Sequence, residues 1–198
     1  DVAITAGGFN ADRKGYGWIG SHPDSISGTL CYGEGVGPIV GSRGGGGSYG
    51  GLGGPVYDKV GKVYGATNAP TLPGSPGGYG GSPYPEGGGG LIRIDAANVF
   101  LDGALSANAG SGNKDGGCSG GGIFVRCSAF AGSGVLRANG SAGSNITMPS
   151  GGGAGGRIAV WHGVNDAMRT RYLSGNFSGA ITSATHPDFT GTASVACG

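Results

Sequence analysis

The sequence predicts an all-β fold, a parallel β-helix or β-solenoid with glycine-rich corners. Three observations carry this. Glycine supplies 51 of 198 residues and comes in runs, at Gly44–Gly47, Gly87–Gly90, Gly120–Gly122, Gly151–Gly153 and Gly155–Gly156. Three of these sites each precede a short segment of alternating apolar residues, Leu91–Ile94, Ile123–Cys127 and Ile158–Trp161. The equivalent residues Ile92, Ile123 and Ile158 are then 31 and 35 residues apart. A supersecondary unit of that size, repeated, points to stacked coils.

Composition alone leans towards disorder. The 10 prolines and 51 glycines make up close to a third of the chain, and Leu, Ile, Val and Phe less than a fifth. The net charge of +1 argues the other way, because an apolar-poor disordered chain usually carries a large charge. The local alternation also has no purpose in a solvated coil. The expectation is one folded domain, residues 1–198, with a thin core.

The elements follow in order. Val2–Gly7 reads as a strand, with Ile4 expected to match Leu105 further on. The chain opens at Asp1 on this segment, as a mature or excised product would. Residues 28–88 are a Gly-, Pro- and Tyr-rich excursion whose prolines exclude an ordinary central strand. A bundle of polyproline-II segments is the alternative for such a stretch, since glycine permits close backbone packing. The repeat then begins. Ile92 and Ile94, Ile123 and Val125, and Ile158 and Val160 fall on one face and form the expected core stack. A second strand follows each first one: Val99–Asn108 matches Gly134–Asn139, and 179–183 is a looser copy. The stretch 164–172 reads as one surface helix or as loop. Thr192–Cys197 reads as a last short strand.

The order G-G-G-G-S-Y-G-G-x-G-G, V-Y-G, P-T-x-x-G-S-x-G-G, G-G-G-G-x-I-x-I, G-x-L-x-A-N and G-G-G-x-G-G-R-I-A-V resembles a family of Gly-rich modules. These occur in large secreted or surface proteins, chiefly of planctomycete- and verrucomicrobial-like bacteria. The likeness spans residues 1–183. It implies a right-handed parallel β-helix and an extracellular or cell-surface location. It brings no catalytic residues with it. Pro73, Pro76 and the four cysteines depart from the pattern.

Charge and motifs exclude several functions. Charged residues are 12% of the chain, with no basic stripe for nucleic acid. No apolar stretch approaches the roughly 20 residues of a membrane span. Gly61-Lys62-Val63 and Asn113-Lys114-Asp115 lack the Ser/Thr of a phosphate-binding loop. His22, His162 and His186 stand far apart with no nucleophile motif. No catalytic residue, metal site or cofactor is expected.

Four cysteines, Cys31, Cys118, Cys127 and Cys197, suggest disulfides in an oxidising compartment. A straight strand at Ile123–Val125 would keep Cys118 and Cys127 too far apart for a mutual bridge. Sequons stand at Asn139, Asn145 and Asn176. The aromatics Tyr16, Trp18, Tyr49, Tyr64, Tyr79 and Tyr84, set among glycines, are candidates for a contact surface. The expected function is an extracellular structural protein that associates with itself as a scaffold or fibre subunit, not an enzyme. The alternative is a polysaccharide-binding module or a β-helix lyase, with Asp95 and Asp102 near Arg93, Arg126, Arg137 and Arg157.

Overall fold

The computed structural model describes residues 1–17, 32–41, 43–78, 86–112, 116–143, 150–165, 167–168, 170 and 188–198. Trp18, Cys31, Tyr79, Tyr84, His22, His186, the sequons at 145 and 176 and the stretch 179–183 lie outside the described residues.

Apolar alternation sets the strands. β1 (Val2–Ile4) and β2 (Gly8–Asn10) open the chain, and β3 (Ile39–Val40) and β4 (Arg43–Gly44) make a small antiparallel pair in the excursion. β5 (Leu91–Asp95), β6 (Asn98–Leu101) and β7 (Ala104–Ser106) form one repeat. β8 (Gly122–Arg126), β9 (Ala129–Ala131) and β10 (Val135–Arg137) form the next, and β11 (Arg157–Trp161) and β12 (Thr192–Ser194) complete the set. Three sheets are parallel, in the orders β1-β6-β9, β2-β7-β10-β12 and β5-β8-β11. The described fold is therefore all-β, as several short parallel sets. Each repeat sends its successive strands to different sheets, so equivalent residues of different repeats become neighbours.

The register makes this concrete. Ile92 lies beside Ile123 and Ile123 beside Ile158; Ile94 lies beside Val125 and Val125 beside Val160. Ile123 and Val125 are wholly buried, with Ile92 and Ile94 in the same cluster. Ile158 and Val160, on the outermost strand, are partly buried against it. Val99, Leu101, Leu105, Phe130 and Leu136 come into that core from the other two sheets.

The repeat has three strands where the sequence suggested two. Asp102-Gly103 turns the chain and divides the expected second strand Val99–Asn108 into β6 and β7; in the next repeat Gly134–Asn139 holds β10, and β9 precedes it as a strand the sequence did not suggest. One consequence is a shift of register. Ile4 pairs with Leu101, and it is Phe9 that takes the place beside Leu105. β12 lies against β10. In the polar stretch 164–172, Asn165 Oδ1 accepts from Met168 N–H at 2.9 Å, as a helix cap does. Ala167, Met168 and Thr170 there have helical backbone.

The glycine-rich segments pack as lanes outside the regular strands. Hydrogen bonds radiate from each lane with a period of three. Gly45 and Ser48 donate to Pro38 and Gly35, while Gly46 and Tyr49 donate to Gly54 and Gly51. Gly116 and Ser119 donate to Gly78 and Ser75, while Gly117 and Gly120 donate to Gly151 and Ala154. Gly151 and Ala154 in turn donate to Gly44 and Gly47. Every third amide thus faces the same neighbouring lane, a three-residue period unlike the two-residue alternation of a strand. Glycine is required here by space. A Cβ on Gly121 would overlap the carbonyl oxygen of Gly90, and one on Gly117 that of Ser141.

Candidate functional site: tyrosine cluster, charged face and open strand edge

The tyrosines expected on a contact surface are drawn inward. Tyr49 is fully buried and Tyr64 is 5% exposed. Their rings lie 4.9 Å apart, and Tyr16 packs on Tyr64 at 6.2 Å. This corrects the contact-surface reading for Tyr49 and Tyr64. The physical reason is that glycine lanes offer bare backbone, and flat rings cover it. The Arg157 guanidinium sits 4.7 Å from the Tyr49 ring centre and donates to the Tyr64 carbonyl. Burial pushes both phenols above their usual range, with Arg157 opposing the effect at Tyr49. Tyr16 is half-buried and meets Tyr32 edge-on at 5.7 Å.

Three buried serines join the lanes beneath the rings. Ser75 Oγ accepts from Gly35 N–H at 3.1 Å and lies 2.8 Å from the Tyr64 hydroxyl. Ser119 Oγ accepts from Ser75 N–H at 2.7 Å, and Ser48 Oγ accepts from Gly53 N–H at 2.9 Å. Sequence reasoning did not single them out. Their signal was a lone serine beside a glycine run, where a small side chain fits and can still close a backbone bond.

The charged residues near the sheets serve structure. Asp95 pairs with the buried Arg126 across β5 and β8. Asp102 accepts from the backbone and hydroxyl of Ser133 at 2.9 and 3.0 Å. The Arg93 guanidinium lies 5.7 Å from the Phe124 ring centre. Arg157 is turned into the tyrosine cluster. The arginines named for a lyase reading therefore do not form one row, because Arg126 and Arg157 are buried against other groups. Among the described residues no group of three or more His, Cys, Asp or Glu could hold a metal ion. No helix among them is long and apolar enough to cross a membrane.

The disulfide expectation is corrected at Cys127 and Cys197, which carry free thiols. Cys127 follows Ile123 and Val125 in phase and faces the core. Burial there raises its thiol to about 11. Cys197 is exposed at the far end of the chain. The Cys118 thiol donates to the Glu86 carbonyl at 2.8 Å.

The ends of the sheets hold the remaining candidate site. β1, β2 and β5 are the outer strands at one end, and β9, β11 and β12 at the other. β1 and β2 add one rung beyond β6 and β7, whereas nothing among the described residues pairs with the outer edge of β5. That leaves a groove of about 510 Å³, lined by Val2, Phe9, Asn10, Ala11 and the length of β5. Phe9 in its wall is 52% exposed. Compared with known proteins, the chain matches no family model, no curated protein and no solved structure.

Proposed function

We propose that this chain is a structural module, a parallel β-solenoid backed by a bundle of polyproline-II lanes, which associates with itself through its ends. An extracellular or cell-surface setting is part of the reading, and rests on the resemblance of its repeat to modules of large surface proteins. The observation that carries the reading is the pair of outer rungs. β1 and β2 close one end and β12 lies at the other, all in the same strand direction. Outer strands present backbone donors and acceptors that another chain can pair with. In β1, Ile4 faces β6 through its carbonyl, so by alternation the Ala3 amide points away from the sheet.

The lanes suit a load-bearing role. Their backbone-to-backbone contacts leave little room for internal adjustment, and the cross-lane bonds run in several directions at once. Polysaccharide contact through the tyrosines has less behind it, since Tyr49 and Tyr64 are buried.

Light scattering and negative-stain microscopy across a concentration series test the reading. Ordered oligomers or fibres are expected, and Ala3→Pro or deletion of Val2–Thr5 should weaken them. Equal assembly by both variants would exclude β1 as the joint. A parent protein that stays monomeric at every concentration would overturn the reading.

A further inference from the structure

We propose that the outer edge of β5 is a strand-acceptor site, which binds a five-residue extended segment of another polypeptide in parallel register. The site does not depend on whether the chain assembles with itself.

The backbone sets the first requirement. Gly90 accepts from Gly122, and Ala96 donates to Arg126, so even-numbered residues of this stretch face β8. By alternation the amides and carbonyls of Leu91, Arg93 and Asp95 point the opposite way, into the groove. Among the described residues no strand pairs with β5 on that side, so the Leu91 and Arg93 amides face an unpaired edge. An extended segment laid along β5 satisfies both, as strand addition to a sheet edge does.

Shape sets the second. β1 and β2 already stand one rung beyond β6 and β7, and among the described residues the third sheet has no strand at that level. The empty level is flanked by Val2 and Phe9 and floored by Ile92 and Ile94. Five residues is the length of β5, β8 and β11 alike. An added strand in the same phase places its second and fourth side chains on this apolar floor.

Charge sets the third. On its paired side, Arg93 lies beside Phe124 and Asp95 beside Arg126. Both contacts are favourable, a cation over a ring and an ion pair. A strand on the other side meets the same two residues with its third and fifth positions. The occupant therefore reads any, apolar, aromatic or acidic, apolar, basic. β8 itself, Gly-Ile-Phe-Val-Arg, has this pattern.

The test uses the whole chain and a synthetic capped pentapeptide, Gly-Ile-Phe-Val-Arg, with a scrambled peptide as control. Binding is followed by titration and by residue-resolved amide exchange. Exchange at Leu91 and Arg93 should slow at least tenfold at saturation, while Ile92 and Ile94, already bonded to β8, should change little. Arg93→Pro removes the outward amide and leaves the bonds to β8 in place. Phe9→Asp places a charge in the exposed wall. Both variants, once shown to melt cooperatively, should lose at least tenfold in peptide affinity. Absence of slowed exchange at Leu91 and Arg93 overturns the proposal, as does equal binding of the scrambled peptide. Undiminished peptide binding by either folded variant also overturns it. None of these readouts requires self-assembly, so failure here leaves the scaffold reading standing, and the reverse.

Discussion

Asn108 and Asn139 occupy the same corner of successive repeats, and the side chain of the first accepts the backbone N–H of the second at 2.9 Å. The contact is one step of a ladder. Asp12 Oδ1 accepts from Asn108 N–H at 2.6 Å, and Asn139 Oδ1 accepts from Ala196 N–H at 2.9 Å. Asn10 Oδ1 serves the Asp12 amide at 2.8 Å, and Ala196 has no side-chain acceptor to continue the series. The ladder is thus closed within one chain.

Removing a step should cost about what one hydrogen bond to a partly buried amide contributes. Asn108→Ala is expected to destabilise the fold by about 1 kcal/mol, since it strands the partly buried Asn139 amide. Asn108→Asp keeps an acceptor oxygen and should retain most of that stability near neutral pH. Urea denaturation of the three proteins makes the comparison. A loss in the aspartate variant as large as in the alanine variant would show that the acceptor is not what matters.

Glycine substitutions should divide by location. An added methyl at Gly121 or Gly117 falls on backbone in the neighbouring lane, which cannot rotate away. Gly51 has nothing within 4 Å of the same position. Gly121→Ala should therefore cost on the order of 3 kcal/mol or prevent folding, and Gly51→Ala should be neutral or slightly stabilising. Thermal melts of the two variants decide this. Equal melting points would mean that the lanes are not closely packed.

The sheets were legible in the sequence because one face of each strand is apolar. Alternation placed Ile92, Ile94, Ile123 and Val125 in a common stack, and the 31-residue step aligned them. The third strand per repeat was hidden, since Asp102-Gly103 interrupts a run that otherwise reads as continuous. The lanes left less trace. Glycine has no side chain whose polarity could mark a buried direction, so a three-residue period of amides has no counterpart in the letters. The tyrosines misled for a related reason. Aromatic rings next to glycine look exposed in sequence, whereas Tyr49 and Tyr64 fill the hollow that bare backbone leaves.

Val125 tests the stack directly. It is fully buried between Ile94 and Val160. Val125→Asp would place a carboxylate in an apolar core with no cation facing it from these neighbours. The expected cost is about 3–5 kcal/mol, enough to unfold a marginal domain. Val125→Ala should cost less, on the order of 2 kcal/mol, through the cavity alone. A midpoint unchanged in the aspartate variant would place this side chain outside the core.

Cys127 links the core to alkaline pH. Burial raises its thiol from 9.0 to about 11, because the thiolate cannot be solvated among Val125 and its neighbours. The unfolded chain ionises this cysteine near 9.0, while the folded chain holds the proton until about 11. Folded protein therefore binds more protons across that interval, and its stability must fall as pH rises through it. The loss is on the order of 2 kcal/mol, absent below 9.0 and complete above about 11. Tyr49 and Tyr64, also raised by burial, add to the fall at the upper end. Cys127→Val keeps the volume and removes the thiol. The difference in unfolding free energy between parent and variant should shift by that amount between pH 8 and 11. Alkylation provides a second readout at pH 8, where Cys197 should react within minutes and Cys127 only at the rate of opening. Equal labelling of the two thiols in the folded protein, or a pH dependence unchanged by the valine, would remove Cys127 from the core.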